Sequence, residues 1–220
     1  MSKKPKVFLF DMDHTLIDND CDVSWKKFIV KHNLGPADSL ETADYFFEEY
    51  KKGTLDFNAF MQFQLAEFRG RSEVEMMQWA EQHFQEYVKA KIYPEALTRV
   101  SELIDRGEMV AILTSTNRVI AAPVARFFGV RHLLATDLDM EAGTRYTGFV
   151  RGVYNGGQGK VVVADRYCKV FRWTLADAAY YGDGYLDRFI LDEAGFPVAV
   201  NPSPELRKIA VERDWPIINW

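Results

Sequence analysis

Asp11 and Asp13, one residue apart and followed by Thr15, stand directly behind a run of four apolar residues, Val7-Phe8-Leu9-Phe10. Such a run is too short for a core helix and reads as a buried parallel strand. In an open α/β sheet the carboxyl end of a strand is where ligands bind. Two carboxylates placed there repel each other unless a cation stands between them or a proton is shared. A hard divalent cation such as Mg²⁺, held by one or two carboxylates and by phosphate oxygens, meets that demand. A plainer use is also open, a strand leading into a helix with Asp13 or Thr15 as its N-cap. Three later places weigh against the plainer use. Thr114-Ser115 follow the apolar run Met109–Leu113, Asp183 follows Ala178–Tyr181, and Lys160 opens a helical stretch after Gly156-Gly157-Gln158-Gly159. Taken singly, Thr114 reads as a helix cap, Asp183 as a turn aspartate and Lys160 as a solvated lysine. Brought to one sheet edge they suffice for phosphoryl transfer. That reaction needs an in-line nucleophile, a metal on the phosphate oxygens, donors for the equatorial oxygens and an acid for the leaving oxygen.

The elements that must carry these groups follow from punctuation and periodicity. Residues 17–22 are mostly polar and suit a hinge. Residues 23–90 carry almost no strand signal. Phe57, Phe60, Met61, Leu65 and Phe68 recur at helical spacing, as do Val74, Met77, Trp79 and Val88 more loosely, and both stripes read as helical core. Asn33-Leu34-Gly35-Pro36, Lys52-Gly53 and Arg69-Gly70 cut the segment into about four helices. From Tyr93-Pro94 helices and strands alternate, which implies right-handed crossovers and a parallel sheet. Helices are expected over 94–106, up to 128, over 160–171, 186–194 and 204–213. Strands are expected at 109–113, 132–135, 178–181 and 197–200, with a last extended piece at 216–218. Residues 137–158 read as an excursion containing a hairpin, with turn signals at Ala142-Gly143 and Gly156-Gly157.

The 220 residues are enough to bury a sizeable core. A net charge of −5 with no compensating basic cluster argues against a nucleic-acid surface. No apolar run approaches membrane-spanning length, and the run behind Lys3, Lys4 and Lys6 is too short for an export signal. Cys21 and Cys168 have no metal or redox spacing, so reduced thiols in the cytoplasm are expected, and Cys21 reads as inert.

The motifs, in their order, resemble the haloacid-dehalogenase superfamily, in the branch similar to phosphoserine phosphatase (subfamily IB) with a helical cap. They are Phe10-Asp11-Met12-Asp13-His14-Thr15-Leu16, Val110-Ala111-Ile112-Leu113-Thr114, Gly159-Lys160, and Tyr181-Gly182-Asp183-Gly184-Tyr185-Leu186-Asp187. Tyr146-Thr147-Gly148 and Val198-Ala199-Val200-Asn201-Pro202 are also similar to this branch. The resemblance implies an α/β fold with a Rossmann-like parallel-sheet core over 1–17 and 91–220, and a helical cap inserted over 18–90. It implies Mg²⁺-dependent hydrolysis of a small phosphomonoester. Asp11 would be the nucleophile and Asp13 the acid and then the base. Asp11, the Asp13 backbone carbonyl and Asp183 would hold the metal. Thr114 would donate to the phosphate and Lys160 neutralise charge, with Thr15 and Ser115 also facing the substrate. Asp187 would support the metal shell or Lys160. His14 sits where the family varies and reads as a supporting or hinge residue.

The departures bear on the substrate. Gly184 and Leu186 replace the Ser and Asn often found after the last metal-binding Asp. Where phosphoserine phosphatases read the amino acid with a Glu and a cap Arg, this chain has Asp20 and, by gapless comparison, Gln64. The rival readings are phosphoserine phosphatase proper, a phosphotransferase on the same fold, and a catalytically silent protein binding a phosphorylated metabolite. Gln64 cannot offer a carboxylate the bidentate cation that Arg supplies. Arg69 and Arg71 lie close by but flank Gly70, a helix-break signal. Losing a charged partner at a buried site costs roughly thirtyfold to several-thousandfold in affinity, so phosphoserine is expected to be a poor substrate that another small phosphomonoester exceeds. A side-by-side panel of phosphorylated metabolites checks this, and phosphoserine at the head of it would contradict it.

Overall fold

The computed structural model describes residues 4–220 apart from 53 and 55, with the backbone alone at 47 and 50–52. The Gly53 turn expected from the sequence lies outside the described residues. The sheet is laid out around the short buried strand β1 (Val7–Phe10). Its flanking strands are β2 (Met109–Asn117) and β6 (Ala178–Gly182), with β3 (His132–Thr136) outside β2, and β7 (Phe196–Val200) and β8 (Ile217–Ile218) outside β6. The strand order is β3-β2-β1-β6-β7-β8, every pair parallel. The crossovers run in opposite directions from β1, which makes its carboxyl end the switch point where an α/β sheet opens a crevice. Phe10 is level with Ile112 on one side and Tyr181 on the other. Thr114, inside β2, which runs on past its expected end at Leu113, and Asp183, just beyond β6, therefore stand at the same height on either side of the Asp11–Asp13 turn.

Alternation along β1 divides the core. Val7 and Leu9 pack with Ala164 and Cys168 of α7 (Gln158–Val170), Ile190 of α8 (Arg188–Glu193) and Leu206 of α9 (Pro204–Glu212). Phe8 and Phe10 face the other way, with Val100 of α5 (Pro94–Asp105) and Val124 of α6 (Arg118–Phe127). The second cluster continues without a break into Trp25, Phe28, Phe68 and Met76 of the inserted helices. A hairpin of β4 (Leu138–Glu141) and β5 (Arg145–Val150) grips the same insert. Gly70 N donates to Tyr146 O at 2.8 Å, Tyr146 N to Arg71 O at 2.9 Å, and the Phe68 and Tyr146 rings meet edge to face.

The insert consists of α1 (Cys21–Lys31), α2 (Ser39–Lys52), α3 (Phe57–Gln64) and α4 (Glu73–His83), the last running on through a π turn at Phe84–Val88. Asp20, Asp56 and Ser72 cap α1, α3 and α4 by accepting from first-turn N–H groups. Three expectations need correction. Phe57 is 44% exposed, and of the stripe it opens only Leu65 and Phe68 are fully in the core. Val74 and Met77 are 67% and 47% exposed, and α4 buries Met76, Ala80 and His83 instead. Both sets have helical spacing, and a small Ala and a His hide the stripe that faces inward. His83 can sit there because burial pushes its imidazole down to about 4, keeping it neutral beside the Ser24 hydroxyl at 2.8 Å. Residues 17–22 are also less loose than their polarity implies: Ile17 is fully buried and bridged to both Asp13 and Ile92, and Cys21 already belongs to α1. Among the described residues no helix is long and apolar enough to cross a membrane.

Gly159, in the first turn of α7, sets where Lys160 emerges. A Cβ there would collide with the carbonyl oxygen of Tyr154. Gly159→Ala should therefore cost about 1–3 kcal/mol of stability, the usual penalty for overpacking. Urea unfolding measures it, and an unchanged midpoint would show that the Tyr154 loop yields freely.

Candidate active site

Lys160 is 4% exposed, and its three protons have three partners. Its Nζ lies 2.8 Å from Asp11 Oδ2 and 2.6 Å from Asp187 Oδ1, and donates to the Tyr180 hydroxyl at 3.0 Å. Burial works against the ammonium, but Asp11 and Asp187 outweigh it and hold the lysine protonated above its ordinary range. Asp187 in turn is saturated. Its Oδ1 also accepts from Tyr180 at 2.8 Å, and its Oδ2 accepts from the backbone N–H groups of Asp183 and Gly184, both at 3.1 Å. It fixes Lys160 and the Asp183 loop and has little left to offer a ligand.

Asp11 Oδ1 accepts from the Met12 N–H at 2.8 Å, which turns Oδ2 toward Lys160. Thr15 is fully buried, and its hydroxyl donates to Asp183 Oδ1 at 2.9 Å, so Thr15 orients Asp183 rather than facing a substrate. Oxygens of Asp11, Asp183 and Asp187 all lie within 4.8 Å of one another. Burial, then Asp11 and Asp187, push Asp183 up to about 9. Burial, opposed by the Lys160 charge and reinforced by Asp187, lifts Asp11 to about 7. Carboxyls forced to hold protons near neutrality mark a place short of positive charge, and the donors are all oxygen. That combination fits Mg²⁺ and not Zn²⁺.

Asp13 is held apart from this group. Its Oδ2 is 2.6 Å from the Thr116 hydroxyl and its Oδ1 accepts from the Cys21 N–H at 2.9 Å. Burial first, then the Asp20 charge, raise its carboxyl well above the usual range. A hydroxyl can donate or accept, so Thr116 holds Asp13 in either protonation state. Thr114 is fully buried, its oxygen accepting from Thr116 N at 3.1 Å. Sequence reasoning singled out Thr114 and Ser115 and missed Thr116. The period of two along a strand was the available signal, since a residue facing the edge at 114 brings 116 to the same face. Tyr180 was missed because a strand tyrosine reads as packing until Lys160 and Asp187 are seen to meet its hydroxyl.

Beside these acids lies a cavity of about 320 Å³ between the insert and the sheet. Asp20 stands at its rim, exposed, capping α1, and close enough to Asp13 to raise it. Gln64 is buried in its wall together with Asp22, Lys26 and Phe60, and Tyr154 closes it from the sheet side with its hydroxyl bonded to Ser115. The structure thus brings together Asp11, Asp183, Asp187, Lys160 and Thr15, sets Asp13 with Thr116 next to them, and puts Asp20 and Gln64 in the adjoining cavity. His14 is exposed, in the left-handed region at φ 55°, outside that set.

A family model described as haloacid dehalogenase-like hydrolase matches residues 8–192. The chain belongs to the haloacid dehalogenase-like hydrolases. Within that family it is 32% identical over 216 residues to a histidinol-phosphatase from Neisseria meningitidis, covering 96% of this chain and 97% of the relative. It is 29% identical to the phosphoserine phosphatase SerB1 of Mycobacterium tuberculosis, over 94% of this chain and 68% of that protein. A Bordetella pertussis structure of unknown function superposes with a TM-score of 0.90 at 33% identity, covering 98% and 99% of the two chains. A phosphoserine phosphatase structure described as a phospho-aspartyl intermediate analogue matches in fold, at TM-score 0.69 and 21% identity, over 99% and 94%. This haloacid dehalogenase-like hydrolase is an enzyme acting on phosphomonoesters, with the Rossmann-like core and helical cap expected of it.

Two outcomes follow for this hydrolase. Asp11→Asn is nearly isosteric and should lower kcat about a thousandfold or more with the fold intact, because the groups around Asp11 act as a unit. Ordinary turnover in a clean preparation of that variant would exclude Asp11 as nucleophile. In metal-free protein the raised carboxyls favour the folded state at pH below about 4. That contribution is lost as pH rises through about 7 for Asp11 and about 9 for Asp183. Mg²⁺ competes with those protons, so the thermal shift it produces should grow between pH about 6 and about 9. A shift independent of pH would contradict the assignment.

Proposed function

We propose that this chain hydrolyses a small phosphomonoester bearing an amine, with histidinol phosphate as the candidate substrate, through an aspartyl-phosphate on Asp11. In this reading Asp11 attacks phosphorus and the bond to the alkoxy oxygen breaks. Asp13 gives that oxygen its proton and then takes one from the water that attacks the acyl phosphate, returning Asp11 free with inorganic phosphate. Lys160 balances the charge gathering between Asp11 and the phosphoryl oxygens, while Thr114 and Ser115 supply donors from the neighbouring strand end. Mg²⁺, held by Asp11, Asp183 and the Asp13 carbonyl, would neutralise phosphate oxygens when bound. Asp187 and Tyr180 keep Lys160 aimed, and Thr15 keeps Asp183 aimed. Residues 18–90 form the cap that closes over the substrate and 1–17 with 91–220 the catalytic core. The buried thiols of Cys21 and Cys168 suit a cytoplasmic enzyme.

The observation that carries the substrate assignment is the fate of the cavity's lysine. Lys26 Nζ donates to Phe63 O at 2.7 Å and to both oxygens of Glu67 at 2.8 Å, so its three protons are spent. Arg71 pairs with Glu75 and lies over Trp79, and Arg69 lies over Phe149. Among the described residues no free cation lines the cavity for a substrate carboxylate. A cationic amine and a flat ring suit walls of Asp20, Asp22 and aromatic residues. The name of the Neisseria relative points to a substrate of that chemistry.

The test is kcat/KM for histidinol phosphate, phosphoserine and a wider panel, with Mg²⁺ and with excess chelator. Histidinol phosphate should exceed phosphoserine by about thirtyfold or more, and chelator should abolish both. Phosphoserine turned over as well as histidinol phosphate would overturn the substrate assignment. Undiminished turnover in chelator would overturn the metal requirement.

A further inference from the structure

Asp22 and Lys26 are one turn apart on α1, a spacing at which an acid and a base ordinarily neutralise each other. Here Lys26 relieves Asp22 only through space, because its three protons go to Phe63 and Glu67, and it lies over the Phe63 ring at 4.1 Å. Asp22 is left with the Gln64 side chain, itself buried, as its hydrogen-bond partner. Asp20 differs, since its carboxylate is used in capping α1 through Val23 N at 2.9 Å. A first-turn acid is served by its helix dipole, but that service needs no cavity. Asp22 is partly buried and lines the 320 Å³ cavity, whose other walls include Phe46, Phe57, Phe60 and Tyr154. Phe46 meets Phe60 edge to face from the cap, and Phe57 meets Tyr154 across the gap between cap and sheet.

We infer that Asp22, braced by Gln64, is the specificity-determining residue of this cavity: it seats the ammonium group of the substrate while the aromatic walls take up its ring. The inference rests on the reading of this chain as a phosphomonoesterase working at Asp11, and adds to it the residue that chooses among esters. A cavity of this size is within the range that takes small ligands. Its rim at Asp20 adjoins Asp13, so a molecule with its phosphate at Asp11 can send its amine toward Asp22. A substrate carboxylate at the same place would face Asp20 and Asp22, and among the described residues the one cation in the lining, Lys26, has its protons spent on Phe63 and Glu67. The raised Asp22 carboxyl, lifted to about 7 by burial first and then by Asp20 against the opposing pull of Lys26 and Gln64, agrees with a group whose cation is not in direct contact. The Lys26–Glu67 pair is then a structural strut whose effect on recognition is indirect, since it keeps the lysine away from the anion beside it.

The test measures binding and turnover separately. Calorimetry on the full chain with Mg²⁺ compares histidinol with imidazolylpropanol, the same alcohol without its amine, in wild type and in Asp22→Asn. The variant keeps the side-chain shape and removes a desolvated charge, so folding is not at risk from it. Wild type should bind histidinol about tenfold to a hundredfold more tightly than imidazolylpropanol, the worth of one charge-assisted hydrogen bond. Asp22→Asn should bring the two within about twofold, a convergence that mere loss of packing would not produce. Wild type that binds the two alcohols alike, or neither, overturns the inference, and so does a variant that keeps the preference. Turnover of histidinol phosphate by wild type decides the functional reading independently. Turnover together with a preference that Asp22→Asn leaves intact removes Asp22 alone. Amine-selective binding that depends on Asp22, without turnover, removes the proposed substrate and leaves the seat.

Discussion

Four carboxyl groups and one ammonium meet at the end of β1, and the surrounding structure serves to make that crowding tolerable. Asp11, Asp183 and Asp187 bring oxygens within 4.8 Å of one another, and Lys160 touches two of them. Left without relief, such a group would take up protons or push its loops apart. Relief comes from several directions. Asp187 is surrounded by four donors, Thr15 holds Asp183, the Met12 N–H holds Asp11, and Thr116 with Cys21 holds Asp13 aside. What remains unrelieved is an excess of negative charge at a sheet edge, and that excess is what a metal and a phosphate need.

Rigidity behind the site is supplied by elements with no chemistry of their own. Gly159 lets α7 begin against the Tyr154 carbonyl, so Lys160 reaches the β1 edge from below. Trp220, at the far end of the chain, donates its indole N–H to the Thr15 carbonyl at 2.7 Å and its backbone N–H to Asn201 at 2.9 Å. The turn bearing Asp13 and Thr15 is thus tied to Trp220, two residues beyond β8. On the other side, the pair Arg126–Glu81 and the tilted rings of Phe84 and Phe127 join α4 and its π turn to α6 of the core. The hairpin of β4 and β5 holds the cap at Gly70 and Arg71.

The inserted helices share out their buried charges unevenly. Lys26 is fully buried and hydrogen-bonded to Glu67, while Asp22, one turn away, feels its charge but has no direct bond to it and stays raised by burial and by Asp20. The cavity beside the reaction centre therefore keeps an anionic wall even though a lysine is part of its lining. Burying a charge pair costs desolvation, and its use here lies in which neighbour it leaves unpaired.

The sequence by itself determined the parallel sheet and the acids at its strand ends, while the strand order appears only in the structure. Apolar runs of strand length ending in Asp11, Thr114 and Asp183 leave few alternatives once parallel strands put their carboxyl ends on one edge. Lys160 was legible from the glycines before it. The sequence did not reveal which apolar stripe of α4 faces inward, because Val74 and Met77 have the same helical spacing as Met76, Ala80 and His83. Nor did it reveal that Thr15 serves Asp183, that Thr116 holds Asp13, or that Tyr180 completes the Lys160 shell. Those roles depend on hydrogen bonds between residues as many as 168 positions apart, whose geometry exists only after the strands have paired. The charge state of the cap cavity was likewise decided in three dimensions. Asp22 and Lys26 look like a self-sufficient pair along α1, and only the approach of Glu67 and the Phe63 carbonyl takes the lysine away.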